Sequence, residues 1–196
     1  MERQQLRLSC FMIIGCAIFF GILQFFQQHL IYQYDVLFSQ PWRIWTGHWV
    51  HVGWIHYLLN ILAFACLPFL FSNIRWWYLI VLLIILPVLL SIIFHFIYPN
   101  VFAYAGLSGI LHGLFIFCAI VSLNEKKERY FASIILLLIL IKIIWEYYFG
   151  SFQTAQLIGH PVLTQAHLWG AIFGTLLAII CIIFRIEVIE KVNKNV

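Results

Sequence analysis

Six runs of about 20 mostly apolar residues, near 10–30, 54–72, 76–98, 107–123, 131–149 and 164–184, dominate this chain; each is long enough to cross a bilayer as a helix. The connections between them are short, so no soluble domain fits. The expectation is an all-α membrane protein, one domain over 1–196, built as a six-helix transmembrane bundle. Charge agrees: 9% of the residues are charged, where ordinary soluble domains carry about 25%. So few charges cannot cover a water-facing surface, which excludes a soluble enzyme or a nucleic-acid binder. Apolar residues make up 64%, far too many for a disordered chain.

Lysine and arginine placement sets the expected orientation. Arg3 and Arg7 precede the first run and Arg75 separates the second from the third. Lys126, Lys127 and Arg129 lie between the fourth and fifth, and Arg185, Lys191 and Lys194 follow the sixth. Six crossings put all of these on one side, so both termini are expected in the cytoplasm. The net charge of +4 reflects this bias. The start resembles a signal peptide, but no small-x-small site follows at Gln24–His29, and the first run is expected to stay as a span. Five cysteines scattered through apolar segments, without metal spacing, read as free thiols. The outer connection 27–53 carries Trp42, Trp45, Trp49 and Trp54, residues suited to the headgroup level. The tail from Glu187 onward is expected to be a frayed helix end.

The chain has eight histidines against seven carboxylates, an odd ratio for lipid, where ionisable side chains face the bundle interior. In the second run His56 and Asn60, four apart, share one helix face, with His51 at the outer mouth. The fourth run opens with Gly106-Leu107-Ser108-Gly109 and has His112 one turn below Ser108; the sixth opens with Gln165-Ala166-His167. Topology puts all three groups at similar shallow depth on the outer side. Gly109 with Gly113, and Gly170 with Gly174, are GxxxG pairs that let helices approach closely. If these faces pack together, Ser108 meets His167. A serine beside a histidine base is an activated nucleophile, and His56, Asn60 and the Ser108 N–H could receive a developing oxyanion. No Asp completes a triad in these segments, so packing or another hydrogen bond must orient the imidazole. Lys142 and Glu146, at i and i+4 in the fifth run, are spaced to pair; alternatively Glu146 meets a substrate.

These residues resemble those of the rhomboid intramembrane serine proteases, from about Trp42 to Gly174. The resemblance rests on Trp42-Arg43, His51, His56 with Asn60, Gly106-x-Ser108-Gly109, and Ala166-His167-x-x-Gly170-x-x-x-Gly174. It implies a rhomboid-like bundle with Ser108 as nucleophile and His167 as base. His56, Asn60 and the Ser108 N–H would form the oxyanion hole, and Trp42 and Arg43 would position the first loop. His112 stands where many rhomboids carry a tyrosine under the catalytic histidine. Further motifs are similar to the rhombosortase subgroup: Trp42-Arg43-x-Trp45-Thr46-Gly47-His48, Leu111-His112-Gly113, Lys142-x-x-Trp145-Glu146 and Ile158-Gly159-x-Pro161-Val162. That similarity implies transmembrane substrates with C-terminal Gly-Gly sorting tails, cleaved at the periplasmic side of a bacterial inner membrane, with hydrolysis or transpeptidation completing the reaction. No metal or other cofactor is expected. The rivals are a haem- or metal-binding protein using His51, His56, His112 and His167, and an inactive rhomboid relative that binds helices without cutting them. Against the metal reading, no carboxylate is expected beside these histidines.

Overall fold

A computed structural model describes residues 2–189; Lys191 and Lys194, used above for orientation, lie outside the described residues. In chain order the elements are α1 (Glu2–Gln24), α2 (Gln27–Leu30), β1 (Tyr32–Gln33), α3 (Arg43–Trp49), α4 (Trp54–Leu70), α5 (Trp76–Ile97), β2 (Ala103–Tyr104), α6 (Ser108–Ser122), α7 (Arg129–Phe149), α8 (Phe152–Ile158) and α9 (Thr164–Ile183). α1, α5, α7 and α9 are long and apolar enough to cross a membrane. α4 passes only together with α3, from which it is bent by 89°, and α6 has 15 residues. The protein is a mostly helical, multi-pass membrane protein with four to five candidate spans.

Three local expectations are corrected. The first helix ends at Gln24, and 27–30 forms the separate α2. There the backbone tightens into i→i−3 bonds, Phe25 N–H to Ile22 and Phe26 N–H to Leu23, and the buried Gln24 side chain bonds the main chain of His51. His51, expected at the outer mouth, is fully buried. The tail beyond α9 is no frayed helix through 187–189. Arg185, at φ 52°, turns the chain, Val188 is buried, its carbonyl accepts the Arg75 N–H at 3.1 Å, and Ile189 bridges to Ile74. Burying Val188 and pairing these backbone groups outweighs the loose helical end.

The connection 27–53 is ordered rather than merely anchored. β1 pairs antiparallel with β2, Tyr32 opposite Tyr104. Arg43, nearly buried, donates from Nη1 to the Ile31 carbonyl at 2.5 Å and from Nε to Gln40 Oε1 at 2.7 Å. Trp42 donates to the His29 carbonyl at 3.3 Å, and Trp45 to the Ile84 carbonyl at 3.0 Å, one turn before Pro87. Gly47 is required by close approach, since a Cβ there would lie 2.5 Å from the Tyr32 nitrogen.

α6 forms the centre, with 11 of its 15 residues buried. Its glycine face meets that of α9: a Cβ on Gly170 would collide with the Gly109 carbonyl oxygen, and one on Gly174 with that of Gly113. The expected GxxxG apposition is therefore present. Leu86, Leu90 and Phe94 of α5 and Phe64 of α4 complete the core. α7 differs: on it only Ala132 and Glu146 are buried, while Leu137, Leu138, Ile141 and Ile144 face outward. Lipid can cover such a face without cost, and a buried carboxylate on it marks a site. All five cysteines are free.

Candidate active site

The first residue of α6 is Ser108. A serine in this place is most often a helix cap, yet the cap position belongs to Leu107 and no side chain caps the helix. The Ser108 hydroxyl instead faces α9, where His167 Nε2 lies 2.9 Å from Oγ. The glycine contacts between α6 and α9 produce this meeting, because both side chains stand at the N-terminal ends of the apposed faces.

The imidazole, expected to be oriented by packing or by another hydrogen bond, has both. Its Nδ1 donates to Glu146 Oε2 at 2.7 Å, and its ring stacks on His112 at 4.2 Å between centroids and 15° between planes. His112 Nδ1 donates to the Ser108 carbonyl at 2.7 Å. The expected Lys142–Glu146 pair forms as well, with Nζ 2.6 Å from Oε1, and Nζ lies 3.1 Å from His112 Nε2. The absence of a carboxylate beside the histidines is thus overturned. Glu146 is 21 positions from His167 and reaches it only because α7 leans on α6 and α9.

His56 and Asn60 line the same cavity of 340 Å³ as Ser108, His112, Glu146 and His167. Asn60 is buried and spends one amide N–H on the His56 carbonyl at 3.0 Å. The turn before Ser108 is held from three sides. Gly106 donates to the Gly47 carbonyl at 3.2 Å, Tyr104 Oη donates to the Gly106 carbonyl at 2.7 Å, and Leu107 N–H points at His51 Nε2 at 3.4 Å. Gly106 has φ 144°, a region favouring glycine, and a Cβ there would lie 2.8 Å from His56 Cε1. Gly106, Gly109, Gly170 and Gly174, expected from their motifs, lie beside Ser108 and His167, and Gly47 of the loop motif accepts from Gly106, whereas Gln24 and Tyr104 carried no signal in the sequence. Gln24 bonds the main chain of His51, 27 residues away, and Tyr104 bonds that of Gly106 from a strand paired with β1; no residue pattern marks either partner. Trp42 and Arg43 belong to the loop scaffold and do not line the cavity.

His112, Glu146 and His167 could offer a metal three donor atoms within 4.8 Å of one another. The Lys142 ammonium already lies against two of the three residues, and both nitrogens of each imidazole are engaged. His51, named with them as a haem or metal ligand, has its Nε2 turned to the Leu107 amide. The donor set thus fits a hydrogen-bonded network with an internal cation better than a metal centre.

Ser108, partly buried, and the buried His167 and Glu146 thus form a serine–histidine–carboxylate constellation within a polytopic helical bundle. The family model described as the Rhomboid domain matches residues 39–184, and the chain belongs to the rhomboid family. At family level, membership implies intramembrane serine protease activity on transmembrane substrates in the bilayer. Comparison with curated proteins gives no match.

Proposed function

We propose that this protein is an intramembrane serine endopeptidase in which Ser108 is the nucleophile and His167 the general base. The supporting observation is the 2.9 Å contact between Ser108 Oγ and His167 Nε2 at the wall of a mostly apolar cavity. As Oγ bonds to the substrate carbonyl carbon, its proton passes to Nε2. The oxyanion is received by the Ser108 N–H, one of the helix-start donors left without a helical partner, together with His56 and the remaining N–H of Asn60. Collapse breaks the C–N bond, and His167 returns the proton to the leaving amine. Water or an amine then resolves the acyl-enzyme, so hydrolysis and transpeptidation share the first half.

The length of α6 favours a cut below the surface. Its 15 residues rise about 22 Å, against about 30 Å of hydrocarbon. Asn124 to Arg129 follow it with five charged residues that belong at the headgroup level, so the shortfall falls at the Ser108 end. The basic residues at that same charged end favour the cytoplasmic side for it. Ser108 then opens toward the periplasmic side of a bacterial inner membrane, with six crossings and both termini inside. A substrate helix must unwind to expose a peptide bond, and glycine lowers that cost. This agrees with the rhombosortase-like motifs and their Gly-Gly-tailed substrates.

Co-expression with a Gly-Gly-tailed membrane protein tests the proposal. Wild type is expected to remove the tail, whereas Ser108→Ala and His167→Ala are not. Tail removal by Ser108→Ala at the wild-type rate would refute the mechanism. A Ser108 that resists a fluorophosphonate would favour an inactive helix-binding relative.

A further inference from the structure

Glu146 is a carboxylate buried on a helix that otherwise faces outward, and its two oxygens have different partners. Oε1 accepts from Lys142 Nζ at 2.6 Å and Oε2 from His167 Nδ1 at 2.7 Å. An ionised carboxylate only accepts hydrogen bonds, so this contact puts the His167 proton on Nδ1. The lone pair of Nε2 is then left facing the Ser108 hydroxyl. The neighbouring ring obeys the same logic. His112 Nδ1 faces a carbonyl oxygen and must donate; its Nε2 faces an ammonium and must accept. Two imidazoles in the same tautomer are stacked, and each of their four ring nitrogens has a partner.

Resting on the serine-protease reading, we infer that Glu146 completes a Ser108–His167–Glu146 triad, as a positioning residue that acts through His167. Lys142 supplies its counter-charge, and His112 links that ammonium to the main chain of the nucleophile. During acylation the Ser108 proton moves to His167 Nε2 while the Nδ1 proton stays in place. The imidazolium charge forms 2.7 Å from the Glu146 carboxylate, which takes no proton itself. When the leaving amine departs, Nε2 gives up the proton it gained and the ring returns to its starting tautomer.

The competing account is an i, i+4 ion pair that only folds α7 against the bundle. The two differ in what happens when both charges are removed. Glu146→Gln alone strands the Lys142 ammonium, whereas Lys142→Met with Glu146→Gln leaves no unpaired charge. Both variants and wild type are reconstituted in bilayer discs, and Ser108 is labelled with a fluorophosphonate. In that reaction Oγ bonds to phosphorus, fluoride leaves, and His167 takes the proton. The concentration dependence separates the binding constant KI from the maximal rate kinact.

The triad requires kinact to fall by about 10²-fold or more in both variants, the range of a general base's contribution, with KI within about 2-fold of wild type. A double variant labelled within about 10-fold of the wild-type kinact would overturn the triad and leave the serine nucleophile standing. No labelling of wild-type Ser108 would overturn the protease reading, and the triad with it.

Discussion

Gln24 clasps the main chain of His51 on both sides: its Oε1 accepts the His51 N–H at 2.8 Å, and its Nε2 donates to the His51 carbonyl at 2.5 Å. The His51 ring in turn presents Nε2 to the amide of Leu107, the residue before Ser108. A helix outside the matched 39–184 segment thereby steadies the turn that carries Ser108. Gln24→Leu removes a buried amide of nearly the same size and strands two main-chain groups. Leaving buried groups unpaired costs about 1–3 kcal/mol each. Thermal unfolding in detergent should show the loss, and fluorophosphonate labelling of Ser108 should slow in the fraction that remains folded. Unchanged unfolding would show that water takes over both bonds.

The α6–α9 seam has no room for a methyl group. Gly170→Ala would drive Cβ into the Gly109 carbonyl oxygen, and the helices must separate to admit it. Overpacking of this kind costs about 1–3 kcal/mol, and separation also lengthens the Ser108–His167 contact. Lower thermal stability together with lost labelling is expected. Gly15→Ala is the control, because a Cβ there meets nothing within 4 Å. Equal behaviour of the two variants would dismiss the seam as the element that aligns the pair.

His112 supports His167 by ring contact, so its replacement should be graded. Tyr keeps a stackable ring and is expected to retain activity. Ala removes the ring and is expected to lose about 2- to 10-fold in labelling rate, the equivalent of about 0.5–1.5 kcal/mol for an aromatic pair. Complete inactivation by His112→Tyr would instead assign His112 a direct chemical step.

The membrane class was legible without coordinates, because bilayer thickness imposes a length on each apolar run and the runs for α5, α7 and α9 meet it. So was the seam, since two Gly pairs at i and i+4, each beside a reactive side chain, let two helices approach closely in lipid. α8 was not legible: Phe152–Ile158 is a short helix in a stretch without a clear period. Nor was the true end of α1, where the apolar run continues through Phe25 and Phe26 while the backbone turns. For the site, Ser108, His167, His56 and Asn60 stood out as polar groups in apolar helices, where each must have a reason. Glu146 also stood out, but only its i, i+4 lysine was visible, because helical spacing reveals partners on the same helix and hides those on the next.

By itself, then, the sequence determined what is priced locally: which segments must lie in lipid, where charge must reach the headgroups, and which polar residues must turn inward. Tertiary structure alone decided which of those polar groups touch. The 2.7 Å contact of Glu146 with His167 depends on how α7 leans on its neighbours, and the hold on Leu107 depends on a clasp between Gln24 and His51, 27 residues apart. Hydrogen bonds act over about 3 Å, so their pairing waits on helix packing that no linear spacing contains.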